Sequence, residues 1–446
     1  MKEVFLQYVW QHRLYLGDLR TSDGSPVVVD YPGEPNRHAG PDFLNARLRI
    51  GGVLWAGNVE VHVDASDWVA HHHETDDNYN NVVLHVVFRG DLPARLHNGR
   101  LVPTLCLEPY VPSEVLAAYE SLVHPSSDTD VACLSSAAAL PSLTIQQCLD
   151  RYVVERLERK SDDVQRLLTD SMGSWETCCY QMVARYFGGQ ANGFAFELLA
   201  KMTPLSLVAK FRDSRFRVEA LLMGQAGLLQ ADFHDEYPNR LRREYEYMQK
   251  AYTLHPMASH LWRFARMRPV GFPTIRISQL SHLLSQPHHL FAALRDTDSL
   301  DTLRSLFCLS ASDYWNDHYT FDKPSRPSHK TTGTMFADLL IINAWAPLLF
   351  QYGVQHGDQA SKDRAVELLR RLPPETNHIM TLFRPLVSPD NAAQSQALVQ
   401  MYNEHCSQRD CLQCPICYGV LRGRRRASSR HASSTPTSRE KQPLTS

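Results

Sequence analysis

Hydrophobic positions near the start of the chain recur at helical spacing. Phe5, Val9, His12 and Leu16 fall on one stripe with Leu6, Trp10 and Arg13 beside it, which predicts a first helix. The period then drops toward two. "SPVVVDY" reads as a strand, and "DFLNARLRI" and "VLWAGNVEVHV" read as two strands joined by the turn Gly51-Gly52. "SDWVAHHHETDDNYN" opens on a Ser or Asp cap and reads as helix, and "NVVLHVVFRG" reads as a buried strand. The order is helix, three strands, helix, strand, with "LVPTLCLEPY" available as one strand more. From Pro112 onward the pattern is helical, clearest in "SLTIQQCLDRYVVERLERKSDDVQRLL", with breaks near Gly188, Pro204, Pro256 and Pro269 and no period that would indicate a solenoid. The expected class is therefore α+β, a mixed sheet domain followed by a largely α-helical domain. The expected boundaries are 1–111 for the sheet domain, 112–400 for the helical domain, 401–419 for a cysteine knuckle and 420–446 for a disordered basic tail.

Composition changes this picture in three places. At 446 residues the chain exceeds a single simple core, and 43% hydrophobic with 21% charged is ordinary globular composition. The net charge of -2 hides a sorting of charge, because residues 1–110 carry 9 Lys+Arg against 14 Asp+Glu while the chain from Val420 carries 7 against 1. No run of 18 apolar residues occurs, and Glu3, Gln7, Gln11 and His12 interrupt the block that a signal peptide would need. A soluble cytoplasmic protein with no membrane partner is expected. Ten cysteines in a reducing compartment then point to metal more than to disulfides.

The stretch from His38 to Trp68 carries the chemistry. Residues two apart in a strand share a face, so Glu60 and His62 project together while Val59, Val61 and Val63 face the core. A hairpin turning at Gly51-Gly52 brings Asp42, at the start of the preceding strand, back beside Glu60. Two carboxylates at one end of a sheet suit a hard cation, Mg²⁺ or Mn²⁺, with room left for a phosphate oxygen. The competing reading makes Glu60 and His62 the solvated face of an antiparallel strand. More polar groups converge nearby: His71, His72, His73, Asp76 and Asp77 follow, with Asp67 to His71 and His72 to Asp76 at i, i+4, and eight of the 21 histidines precede residue 100. His85, inside an apolar strand, is expected as a hydrogen-bonded core residue.

Pro41-Asp42, an 18-residue step to Glu60, one intervening residue and then His62 resemble the PD-(D/E)XK nuclease motif. The order of elements is also similar to that superfamily's core. The resemblance implies a restriction-endonuclease-like sheet and phosphodiester hydrolysis, with Asp42, Glu60 and His62 catalytic and Asp42 and Glu60 holding the metal. The departure is at the third position, where His62 stands in place of the usual lysine and Lys2 is the only lysine in residues 1–159. A neutral imidazole could accept a proton from water, so the expected nuclease would lose activity below about pH 6.5 as His62 protonates. Longer stretches, among them "GEPNRHAGPDFLNARL", "WAGNVEVHVDASDW", "RPVGFPTIRISQL", "SDYWNDHYTFD" and "CLQCPICYGVL", resemble a bacterial family known only as domain of unknown function 2851, over residues 1 to about 420.

Two further segments bear on partners and cofactors. "HCSQRDCLQCPICYG" spaces Cys406, Cys411, Cys414 and Cys417 as C-x4-C-x2-C-x2-C, which predicts a structural metal site, zinc or an iron–sulfur cluster, unless Cys106 or Cys133 completes the set. Residues 239–276 hold 8 Lys+Arg against 2 Glu and interleave Tyr245, Tyr247, Tyr252, Trp262 and Phe264. Arg240, Arg242, Arg243, Arg263, Arg266 and Arg268 could hold the phosphates of DNA or RNA while the rings stack bases; a solvated helix with a buried aromatic side explains the same residues. The leading expectation is a metal-dependent nuclease or a nuclease-derived nucleic-acid binder. A metallohydrolase built on His62, His71 to Asp76 and His85, and a scaffold with a vestigial site, are the alternatives.

Overall fold

The computed structural model describes residues 1–36, 38–90, 92–124 and 131–433, and the chain is an α+β protein. It forms two compact units. Unit 1 comprises Met1–Cys148, Thr381–Ser388 and Met401–Ser446, and unit 2 comprises Leu149–Met380 and Pro389–Gln400. The expected division at residue 112 is thus displaced, and the cysteine segment belongs to the sheet unit instead of forming a separate knuckle.

Unit 1 opens with α1 (Glu3–Gln11), which buries Phe5, Leu6, Tyr8, Val9 and Trp10 and stops before Arg13, whose φ of 52° is left-handed. Its strands are β1 (Val27–Tyr31), β2 (Glu34–Pro35), β3 (Phe43–Ile50), β4 (Val53–Asp64), β5 (Val82–Arg89), β6 (Ala94–Arg95), β7 (Leu101–Val102) and β8 (Thr104–Cys106). The main sheet runs β1-β3-β4-β5-β8 with β2 on the edge of β3, and β6 and β7 form a separate ribbon. β1, β3 and β4 pair antiparallel, whereas β4 with β5 and β5 with β8 pair parallel. A parallel neighbour explains why β5 reads as a continuous apolar run, since both of its faces are covered and Val82 to Phe88 are all buried.

The link from β4 to β5 is not the helix that its sequence suggests. Only α2 (Asp67–Ala70) is α-helical; 3-10 turns His73–Thr75 and Asp77–Tyr79 follow, and His72 between them takes a left-handed φ of 60°. Trp68 anchors the link, buried in a small cluster with Tyr79, Val82, Ala94, Leu96 and Val102 and donating through Nε1 to the Arg95 carbonyl at 2.9 Å. The carboxylates of the i, i+4 pairs expected of a helix take backbone partners instead: Asp67 accepts from the Asp64 amide and Asp76 from the Asn78 amide.

Helix Pro415–Ser433 packs against helix Ser113–Val123, burying Ile416, Cys417, Val420 and Leu421. The basic run Arg422 to Arg426 continues this helix, so order extends well past Val420; residues 434–446 of the expected tail lie outside the described residues.

Unit 2 is mostly helical, as its pattern predicts. Gly188 separates helices Trp175–Phe187 and Gly189–Met202, and Pro204 precedes Leu205–Val208. The stretch Thr334–His356 is long and apolar enough to span a membrane, but 72% of its most apolar window is buried inside the protein, which makes it a core helix of this unit. Within this unit the buried carboxylate of Glu219 accepts from Ser278 Oγ at 3.0 Å and Trp315 Nε1 at 2.7 Å.

Candidate metal centre

The β3–β4 hairpin sets the site by counting residues. Gly51 and Gly52 take φ of 60° and 85°, the left-handed pair of a two-residue turn, and Ile50 pairs with Val53. Pairing stays regular to Ala46 opposite Gly57 and then slips, so that Phe43 faces Val59. Asn45 accommodates the slip with a φ of 57°, and its N–H donates to Asn58 Oδ1 at 3.2 Å. Such a bulge adds one residue to one strand and turns its side chains over. Burial follows the slip, alternating through Ile50, Leu48 and Ala46 and then resuming at Phe43. Without the bulge Phe43 would face Glu60. With it, the Asp42 N–H donates to Glu60 Oε2 at 3.0 Å and the Val61 N–H donates to Asp42 Oδ2 at 3.0 Å. Asp42, Glu60 and His62 thus stand together.

Glu60 and His62 are 5% and 1% exposed, which rules out the solvated-strand reading. From α1, Gln7 Nε2 donates to Asp42 Oδ1 at 2.9 Å. From β5, His85 Nε2 lies 2.9 Å from His62 Nδ1, a buried imidazole pair. The left-handed turn at His72 reverses the chain so that its two neighbours face inward while its own side chain stays 80% exposed. His71 Nδ1 reaches His62 Nε2 at 3.2 Å, and His73 Nε2 comes within 3.3 Å of Glu60 Oε1 without making a hydrogen bond. Tyr79 stacks on the His73 ring at 3.9 Å and fixes it. His62 Nε2 is 3.5 Å from the same Glu60 oxygen.

Three imidazole nitrogens, of His62, His71 and His73, lie within 4.8 Å of one another, and Glu60 Oε1 borders them. Ligand atoms held about 2.0–2.1 Å from one tetrahedral ion stand roughly 3.3 Å apart. The separations of 3.2, 3.3 and 3.5 Å fit that spacing. With His62 Nε2 turned to an ion, its Nδ1–H is left to donate to His85, the kind of outer hydrogen bond that fixes a ligand ring. Both Asp42 oxygens already accept hydrogen bonds, which makes Asp42 the support of Glu60.

Electrostatics agree with a cation-seeking site. Burial raises the pKa of both carboxyls, and the repulsion of Glu60 raises that of Asp42 further. Burial, with the neighbouring imidazoles, pulls His62 and His85 down to about 3, so both rings are neutral at physiological pH. The inflection expected from His62 near pH 6.5 is corrected accordingly. Glu3, half-buried at the start of α1, is raised by desolvation and opposed by His71. Glu3 and Gln7 were not legible as site residues; their only signal is a polar i, i+4 pair on an otherwise apolar helix.

A family described as "Protein of unknown function (DUF2851)" matches residues 3–378. The chain belongs to that family. The match is shorter at its C-terminal end than the wording of the sequence suggested. No curated protein and no solved structure matches the chain.

Elsewhere in this DUF2851 protein the other expected site residues are spread among separate surroundings. In unit 2, Arg243 pairs with Glu236 at 2.6 Å, Arg242 donates to the Ala231 carbonyl, and Arg240 lies over the Phe216 ring. Arg263, Arg266 and Arg268 are exposed on the irregular segment before helix Pro273–Leu284. Tyr245 and Trp262 are buried and hydrogen-bonded to Gln225 and the Ala226 carbonyl, so they are core residues and cannot stack bases; Tyr247 is 63% exposed. In unit 1, Cys406, Cys411, Cys414 and Cys417 line one cavity.

Proposed function

We propose that unit 1 of this DUF2851 protein is a metal-dependent hydrolase of nucleic-acid phosphodiesters, centred on His62, His71, His73 and Glu60. The observation that carries the reading is the close set of three imidazole nitrogens bordered by a buried carboxylate oxygen. A nitrogen-rich set of this kind favours Zn²⁺ or Mn²⁺ over the Mg²⁺ expected from two carboxylates. Such a cation supplies Lewis acidity and a readily deprotonated water. The chain does the rest. Asp42 holds Glu60 through its amide, His85 orients His62, and exposed His71 leaves the centre open to solvent. The substrate class is supported by a groove of about 560 Å³ lined by Tyr31, Asn45, Arg47, Asn58 and Asn81, among others. Asn58 lies two residues before Glu60 on the same strand face, and Arg47 approaches the Tyr31 ring at 5.7 Å. A guanidinium for phosphate, a ring for a base and amides for base edges suit a nucleotide chain. The spacing of Asp42, Glu60 and His62 in the sequence, which resembles the PD-(D/E)XK motif, supports the same substrate.

Calorimetric titration of metal-stripped protein with Zn²⁺ and Mn²⁺ should give one site, weakened at least tenfold in His71→Ala. Cleavage of single- or double-stranded DNA or RNA should require the metal and fall by about 100-fold or more in Glu60→Gln. Equal binding by wild type and His71→Ala removes the centre. Intact binding with no cleavage of any of these polymers removes the substrate class and favours the scaffold.

A further inference from the structure

A second cluster of ligating groups in unit 1 is independent of the histidine site. One cavity is lined by Cys133, Cys406, Cys411, Cys414 and Cys417, together with Val131, Ala132, His405 and Arg409. Cys133 is distant in sequence from the other four, and it reaches them because helix Pro415–Ser433 packs on the short helix Leu134–Ala137 as well as on Ser113–Val123. Cys133, Cys406, Cys411 and Cys417 form no disulfide among the described residues. Five sulfur-bearing side chains from two segments of the chain thus line one enclosed space.

The spacing discriminates between metals. Four sulfurs drawn up about 2.3 Å from one zinc ion stand roughly 3.8 Å apart and leave no room between them. Here no three of the five sulfurs lie within 4.8 Å of one another. A polynuclear cluster, whose irons carry one thiolate each at separate corners, takes such a wider set. Cys411, Cys414 and Cys417 form a C-x2-C-x2-C run, the spacing by which three thiolates reach three corners of a cubane. The fourth corner has two contenders. Cys133 and Cys406 both line the cavity, but Cys133 comes from a separate segment, just before helix Leu134–Ala137, so that a fourth thiolate there closes the site across two parts of the chain. Arg409 lines the same cavity and supplies positive charge toward an anionic cluster.

We propose that this cavity holds a [4Fe–4S] cluster ligated by Cys133, Cys411, Cys414 and Cys417. The cluster clasps the segment Val131–Ala137 to the start of helix Pro415–Ser433, a structural role within unit 1.

The test uses the full chain purified without oxygen and, in parallel, reconstituted with ferrous iron and sulfide. About four irons and four sulfides per chain, with broad visible absorbance, are expected. Cys133→Ser should lose most of that iron while Cys406→Ser retains it. One zinc per chain without iron, or neither metal after reconstitution, overturns the cluster. Iron retained by Cys133→Ser overturns its ligand set. Should the Cys133→Ser chain fail to fold, alkylation of the wild type decides: Cys133 should resist iodoacetamide until the iron is stripped and then react along with Cys411, Cys414 and Cys417, and labelling of Cys133 in the iron-loaded protein overturns the assignment.

Discussion

Glu60 concentrates the chemistry of the site in one side chain, and its burial has a consequence for pH. A carboxyl raised by folding adds stability that is fully present below its ordinary value and is lost as pH climbs through the raised one. For Asp42 and Glu60 that loss runs from 3.8 and 4.5 up to about 7 and 8. His62 and His85 behave oppositely. Lowered from 6.5 to about 3, they add stability that is fully present above 6.5 and is lost as pH falls toward 3. The two trends cancel between about pH 4.5 and 6.5, so metal-stripped protein should show a plateau in melting temperature there and fall on either side. Glu60→Gln should reduce the alkaline fall and tilt the plateau, so that the acid fall extends up toward pH 6.5; thermal melts in chelator from pH 3 to 9 read both. A melt that rises steadily to pH 9 would contradict the burial argument. Asp42, Glu60 and His62 were legible because a two-glycine turn makes strand pairing a matter of counting. The run from His71 to Asp76 was legible as an alternative metal site with His62, but not which of its members turn inward, because that depends on one backbone angle at His72, to which periodicity is blind.

At the scale of elements, the bulge in β3 is what aims the hairpin. Asn45 tolerates its left-handed φ better than most residues, and a β-branched side chain there costs about 1–2 kcal/mol. Asn45→Val should lower stability by about that amount and weaken metal binding, through loss of the pairing between Asp42 and Glu60; Asn45→Gly should keep both nearly intact. Chemical unfolding and metal titration of the two variants distinguish a conformational role from loss of the amide itself, since equal damage in both would assign the effect to the side chain. The strands were readable from alternation and the long helices from their stripes. The 65–81 link and the C-terminal helix were not. In the first, tertiary anchoring of Trp68 and Tyr79 overrides local helix pattern. In the second, a polar and basic composition masked the buried positions Ile416, Val420 and Leu421, which have a partner only in Ser113–Val123, far away in sequence.

At the scale of the whole molecule, unit 2 is an insertion into unit 1, which is completed by residues that follow it. The returning helix buries four apolar or thiol side chains, and at about 1.5–3 kcal/mol for each large one this approaches the entire stability of a domain, about 5–15 kcal/mol. Deleting residues 401–446 should therefore abolish the cooperative melt of unit 1 and open it to protease while unit 2, complete within its own segments, keeps a melt and a resistant fragment. Resistance of both units in the shortened chain would show that the returning helix is dispensable. The same threading has a consequence in time. During synthesis at about 5–20 residues per second, the apolar side of Ser113–Val123 emerges roughly 15–60 s before the helix that covers it, and unit 2 is fully made in the interval. The first third of the protein to leave the ribosome is thus the last to finish folding, and a nascent chain waiting in that state is the natural client of a chaperone.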